Sequence, residues 1–277
     1  FSLNNRQQYF CRVQMQMKYS FVASCFKIAR FPLAAFCIVS STSVLAQAVQ
    51  TDYFDDGKVQ RTYQLSQGKK HGDFKEYFSN GQLKIAHHFR DGKKHCECKA
   101  YYEDGRLQFE GRYVDGLAEG QHKEYYPNGQ VRLAVNYKAG QEQGLKEEYY
   151  PNGETAFTGN YQAGKEVGLH TFTLPDGTVK LNTHYSNGLK HGLEQLYRDD
   201  GFPESETHYK NGKQHGKDSQ YYGKGNNVLF TVDNYKDGKK EGEHRQYYRN
   251  GQLKAIVTYK NDKKTGVEKT YHENGNI

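Results

Sequence analysis

The sequence predicts an all-β protein: an elongated, single-layer antiparallel sheet of tandem 24-residue β-hairpins over residues 50–277. Three observations predict it. Glycines recur at a fixed step: Gly57, Gly81, Gly105, Gly129, Gly153, Gly177 and Gly201 stand 24 residues apart, Gly225 and Gly251 are 26 apart, and Gly275 restores the step. Apolar residues alternate between the turns, as in Val131, Leu133, Val135 and Tyr137, the period of a strand with one covered face. The composition fits an array: 29 Gly, 24 Tyr and 15 Phe with scarce aliphatics is too poor for a large globular core and too aromatic for disorder.

Residues 1–46 differ from the rest. They hold no Gly, Asp or Glu, but five basic residues, both Met and three of the five Cys. From Met17-Lys18 onward the order is a basic segment (Lys27, Arg30), an apolar stretch ending near Val39, and small residues around Val44-Leu-Ala46-Gln-Ala48. That order predicts a secretory signal peptide over 17–46, with cleavage after Ala46 or Ala48, and residues 1–16 as upstream, non-native extension. Val22-Ala-Ser-Cys25 resembles a lipoprotein processing box, but the apolar run before it is too short. Without the leader's five, 34 basic side chains face 32 acidic ones. The net charge of +7 therefore gives no reason to expect nucleic acid. No second long apolar run follows, so helices spanning a bilayer are not expected after the leader.

Each repeat then reads in order. An aromatic pair precedes a turn, as in Tyr125-Tyr-Pro-Asn-Gly129, Tyr149-Tyr-Pro-Asn-Gly153 and Tyr247-Tyr-Arg-Asn-Gly251. Pro favours the second position of a type I turn, and Gly closes it at positive φ without a Cβ clash. That register puts Tyr149 on one face with Thr155 and Phe157, and Tyr150 on the other; a two-residue Asn-Gly loop would swap the faces. Another aromatic follows eight residues after the turn glycine: Phe89, Tyr113, Tyr137, Tyr161, Tyr185, Tyr209 and Tyr259, with Tyr235 after the insertion. A Gly-x-x-x-Gly segment, such as Gly68-Lys-Lys-His-Gly72, then turns the chain into the next hairpin. About nine units and a truncated tenth give a ribbon on the order of 90 Å, held by aromatic rows between neighbours.

At these residues the sequence resembles the MORN-repeat superfamily, specifically the bacterial variant of the Tyr-Tyr-x-Asn-Gly … Tyr-x-x-Gly-Lys-x-x-Gly type, labelled in many members as YwqK-family antitoxins. The resemblance implies a hairpin-sheet binding scaffold and, for some members, a toxin as partner. The sequence departs from the pattern at Thr173, Cys96, Asp262 and the Gly223–Asn227 insertion.

Chemistry-bearing clusters are few. His95-Cys-Glu-Cys98, near His87-His88, suits a metal site, a Cys96–Cys98 or intermolecular disulfide, or an inert turn; the lack of a second matched Cys pair weighs against zinc. His71, His95, His191 and His215 share one register, a ladder able to titrate or to sit as solvated turn residues. The Gly-Lys-x-x-Gly turns lack P-loop spacing, and their lysines are expected to keep sheet edges soluble. No unit holds a nucleophile, base and orienting group that the others lack, so neither an enzyme nor a cofactor is expected.

The function expected is a non-enzymatic scaffold, exported to a bacterial periplasm or exterior, that binds a protein partner, a toxin or an envelope protein, in an immunity-like role. Tyr101, Tyr125, Tyr149, Tyr137, Tyr161, Tyr185, Tyr209 and Tyr247 are the candidate contact aromatics, because Tyr combines area, rigidity and a hydroxyl. The alternative is a cell-wall polysaccharide or membrane-surface binder, with rings spaced to stack on successive sugars.

Overall fold

The computed structural model describes residues 48–223 and 227–277. The expected leader, the processing-box look-alike at Val22–Cys25 and the Ala46 cleavage site lie outside them. Among the described residues, twenty strands run from Val49–Tyr53 to Lys263–Thr270. They form a single open sheet, and the pairing runs antiparallel from one strand to the next along the chain.

The expected turn after each aromatic pair forms. Gly153 N–H donates to the Tyr150 carbonyl at 2.9 Å, Tyr150 N–H donates to the Glu154 carbonyl at 2.8 Å, and Gly153 has a φ of 90°. Asn152 Oδ1 closes the loop by accepting from Glu154 N–H at 3.1 Å. Thr155 stands opposite Tyr149, as the type I register requires, but the next pair is Phe157 with Glu148. Ala156 is therefore an extra residue, and this bulge moves Phe157 to the face opposite Tyr149. The expected sharing of one face by Tyr149 and Phe157 is corrected accordingly. The same bulge recurs at Arg132, between Tyr125 opposite Val131 and Glu124 opposite Leu133.

The second turn is also tighter than expected. Only two residues make it, as in Asp91-Gly92 with φ of 52° and 82°. Two consecutive positive φ values define a type I′ hairpin turn, whose twist matches that of the flanking strands. The lysine after the glycine already belongs to a strand, for example Lys93–Tyr101. The second glycine of the segment is a bulge inside that strand: Gly144, with a φ of 83°, stands across from Tyr161. In seven of the described repeats a residue without a Cβ thus faces the third aromatic, as Gly72 faces Phe89 and Gly168 faces Tyr185, and leaves the ring room. Cys96 occupies this position at a φ of 67°, opposite Tyr113. A left-handed conformation costs about 1–2 kcal/mol for a residue with a Cβ.

Side-chain ladders join successive repeats. Tyr102, Tyr126, Tyr150, Tyr222 and Tyr248 donate their hydroxyls to the main-chain carbonyls of Tyr125, Tyr149, Thr173, Tyr247 and Tyr271 at 2.6–2.8 Å. The turn asparagines add a second tie: Asn128 Nδ2 donates to the Pro151 carbonyl at 2.8 Å and Asn152 Nδ2 to that of Pro175 at 2.9 Å. An aspartate at this position, as at Asp104 or Asp176, still accepts from its own turn but has no N–H to reach onward.

Candidate functional site

The two sheet faces differ in kind. On the aromatic face a central row crosses the strands from Phe74 and His87, through His122, Val135, Lys146, Gly159 and His170, to Asp218, Asp233 and His244. Much of it is buried, with Val135 2%, His170 3% and Asp218 6% exposed. Large and small alternate: a Cβ on Gly111 would lie 2.8 Å from the His122 ring, and one on Gly159 would lie 2.8 Å from His170. Expected ring-on-ring stacking of tyrosines is replaced by a mediated contact. His122 sits between Tyr113 and Tyr137, at centroid distances of 5.1 and 4.8 Å, and His170 between Tyr161 and Tyr185, at 5.3 and 4.7 Å. Elsewhere lysines cover the rings, with Lys146 Nζ 5.6 Å from Tyr161 and Lys190 Nζ 4.9 Å from Tyr209.

Burial shifts several ionisable members of this row. Burial, with the Lys94 and Lys70 charges behind it, depresses the His87 pKa to about 4. Burial likewise lowers His122, whose Nε2 lies 2.8 Å from the Arg112 carbonyl. At the other end Asp218 faces Asp233 across the strands and is pushed up by burial, although Thr207 donates to it at 2.6 Å. Asp233 pairs with Lys240 Nζ at 3.0 Å, and His244 Nδ1 lies 2.8 Å from its carboxylate. The row is a packed layer rather than a catalytic pocket. A shallow hollow of about 300 Å³ between Phe78, Ile85, Tyr101 and Tyr102 opens directly to solvent.

The eight candidate tyrosines divide between the faces. Tyr137, Tyr161, Tyr185 and Tyr209 belong to the aromatic face, half-buried in its packing. Tyr101, Tyr125, Tyr149 and Tyr247 belong to the polar face, where hydroxyls meet carboxylates: Tyr125 donates to Glu110 at 2.7 Å, and burial plus that carboxylate raise its pKa to about 12. One flat partner cannot touch both sets. The bulge beside each turn, invisible as a sequence motif, separates them.

The cysteine and histidine clusters also resolve. Cys98 is a free thiol, 4% exposed, in the central row opposite Gly111. Of the readings open for this cluster, a Cys96–Cys98 disulfide is therefore not the one formed. Burial raises the Cys98 pKa to about 11 and keeps the thiol protonated at neutral pH. The register of His71, His95, His191 and His215 lies in strands rather than in turns, with His191 Nδ1 3.3 Å from Asn211 Oδ1. The other three meet main-chain groups. Their Nδ1 atoms accept from the next turn's N–H, at Asp91 (3.5 Å), Asp115 (3.4 Å) and Asp237 (3.4 Å). Glu119 and Gln143 do the same for Ala139 and Ala163 at 2.9 and 3.1 Å, so what these residues share is a hydrogen-bond acceptor. Among the described residues, no group of three or more His, Cys, Asp or Glu is placed to hold a metal ion.

One surface feature escaped the sequence reading. Leu145, Leu169 and Leu193 occupy the same position in three successive repeats, opposite Asn160, His184 and His208 on the polar face. Leu145 and Leu169 are 42% and 43% exposed. The same position holds Asp73, Glu97 and Gln121 in earlier repeats, and Lys217, Glu243 and Val267 in later ones, Val267 standing alone on the last strand at 84% exposed. A 24-residue alignment finds the stripe; a search for aromatic motifs passes over it.

The hairpin geometry, the glycine bulges and the tyrosine ladder define a class of protein, the open-sheet repeat scaffold. Residues 70–91, 94–115, 118–139, 142–163, 240–261 and 264–277 match the MORN repeat variant family, and the chain is a MORN-variant repeat protein. No curated protein matches it. Among solved structures it is similar to the TcdB2-TccC3-Cdc42 complex structure at 12% identity, over 76% of this chain and 13% of that one, with a TM-score of 0.21. The corresponding TcdB2-TccC3 structure matches at 12% identity over 79% of this chain and 15% of that one, with a TM-score of 0.18. A porin-like protein from Bacteroides uniformis matches at 12% identity over 79% and 92%, with a TM-score of 0.17. The chain thus spans 13% and 15% of the length of the first two matches.

Proposed function

We infer that this chain is an exported, non-catalytic scaffold that holds a protein partner on the polar face of its middle repeats. The observation that carries the reading is the Leu145–Leu169–Leu193 stripe. It places apolar side chains, two of them more than 40% exposed, in three adjacent repeats of the polar face. Exposed apolar side chains in register, here spaced by Asn160 and His184 on the intervening strands, are the kind of surface that a docked partner covers. Tyr149 and Tyr197 lie along the same strands and would flank such a contact with rigid rings and hydroxyls.

The leader over 17–46 supports an exported, envelope or extracellular setting, and an immunity-like role toward a toxin is the form of the proposal that the family resemblance adds. The sugar-stacking alternative draws less support, because lysine ammoniums already occupy ring faces such as those of Tyr161 and Tyr209. The test is a pull-down with the full chain and a Leu145→Asp/Leu169→Asp variant of unchanged circular dichroism. Loss of a discrete bound protein supports the reading; equal capture by both proteins removes the stripe from it.

A further inference from the structure

The turns on one long side of the sheet are not electrostatically equivalent. Across each type I′ turn the residue before it faces the residue after it: Ser66 with Lys69, Lys138 with Gln141, Gln162 with Lys165 and Ser186 with Leu189. Most of these turns carry one cation or none. The last three change: Lys210 faces Lys213, Lys236 faces Lys239, and Lys260 faces Lys263. Like charges directly opposite one another across an antiparallel pair are destabilising.

Two comparisons show that these six ammoniums make no ion pair, although Asp237 and Asp262 stand in the turns of the last two pairs. Arg90 also faces Lys93, but Arg90 Nη2 reaches Asp115 at 2.5 Å, so that pair is balanced. Lysines one position further along the same late strands are balanced too, Lys240 by Asp233 at 3.0 Å and Lys264 by Glu268 at 2.7 Å. The six lysines are exposed, and among the described residues none has a carboxylate within ion-pair distance. Protection of sheet edges does not account for Lys210, Lys213, Lys236 and Lys239, which flank interior turns; of the six, Lys263 alone stands on an edge strand of the sheet. Adjacent pairs lie two strands apart, so the grid is about 5 Å wide and about 20 Å long.

We propose that this lysine grid binds a linear, phosphate-bearing polyanion along the turn line of the last three repeats. A flexible chain of closely spaced anions fits a two-by-three grid, relieves all three repulsive pairs at once and gains from counterion release. A membrane surface fits less well. The turns between the pairs, Asn211-Gly212, Asp237-Gly238 and Asn261-Asp262, offer no apolar or aromatic residue to enter an interface. The site is independent of the leucine stripe.

The test measures binding of long-chain inorganic polyphosphate to the full chain over a range of salt, beside vesicles containing anionic phospholipid. With six contacts, log K should fall against log salt with a slope of about −4. A Lys210→Gln/Lys236→Gln/Lys260→Gln variant should halve the slope to about −2 and bind at least about tenfold more weakly at low salt. A Lys69→Gln/Lys138→Gln/Lys165→Gln variant removes as much charge from single-cation turns and should change affinity by less than about twofold. Equal losses in both variants, no binding at about 50 mM salt, or lysine-dependent binding of vesicles but not of polyphosphate would each overturn the proposal.

Discussion

The hydroxyl of Tyr126 donates to the main-chain carbonyl of Tyr149 at 2.8 Å, one repeat further along the chain. Tyr150 repeats the bond to Thr173 at 2.8 Å, so each tyrosine locks the turn of its own hairpin to the strand of the next. Tyr126→Phe and Tyr150→Phe should each cost about 1 kcal/mol, read as a lowered urea midpoint with an unchanged circular dichroism spectrum. A midpoint unmoved by both would remove the ladder from the account of stability.

The tyrosine ladder is interrupted where Phe54, Phe78, Leu174 and Arg198 take the tyrosine position. At one of these, Leu174 has no hydroxyl and the Asp176 side chain has no N–H to extend to the following turn. The exposed Lys180–Asp199 pair, at 2.7 Å, bridges this seam instead. Amide exchange should therefore be faster at 173–178 than at the equivalent 149–154, and raised salt should widen the difference. Uniform protection along the array would contradict this.

Gly159 is glycine for reasons of space rather than backbone angle. A Cβ there would meet Phe157 Cζ at 2.6 Å and the His170 ring at 2.8 Å. Gly159→Val alone should cost roughly 1–3 kcal/mol through overpacking. Adding His170→Ala should recover part of that loss, since Val135 and Thr183 already occupy the same row position elsewhere. Strict additivity in the double-mutant cycle would count against the packed row.

The His87 pKa, depressed to about 4 from 6.5, sets a pH dependence. Between those values the unfolded chain binds a proton at His87 that the folded chain does not, so stability falls as pH drops from 6.5 toward 4. Asp218, with its pKa raised by burial, acts in the opposite sense and gains stability as it protonates. His87→Gln should flatten the decline between pH 6.5 and 4 by on the order of 1 kcal/mol, after discounting for partial exposure, in denaturant titrations across that range. An unchanged slope would contradict the assignment.

The repeat step, the strands and the type I turn at Pro-Asn-Gly are legible in the sequence because each rests on residues with few conformational alternatives, Gly and Pro above all. The faces are harder to read. Ala156 and Arg132 are bulge residues with no distinctive side chain, and one extra residue reverses every later assignment on that strand. The central row hides for a different reason. Phe74, Cys98, His122, Lys146 and His170 share one position but no chemistry, so periodicity shows the place without showing that it is packed. The leucine stripe and the lysine pairs are visible only once repeats are aligned and strands are paired across the turns.

The central claim is that the polar face of the middle repeats is the docking surface, and site-specific photo-crosslinking in producing cells tests it most directly. A photoreactive residue at Leu145 or Leu169 should give one discrete protein adduct. The same group at the exposed polar-face positions Asp73 or Glu243, outside the stripe, should give none. Adducts of equal yield at all four positions, or none at the leucines in a folded chain, would contradict the account.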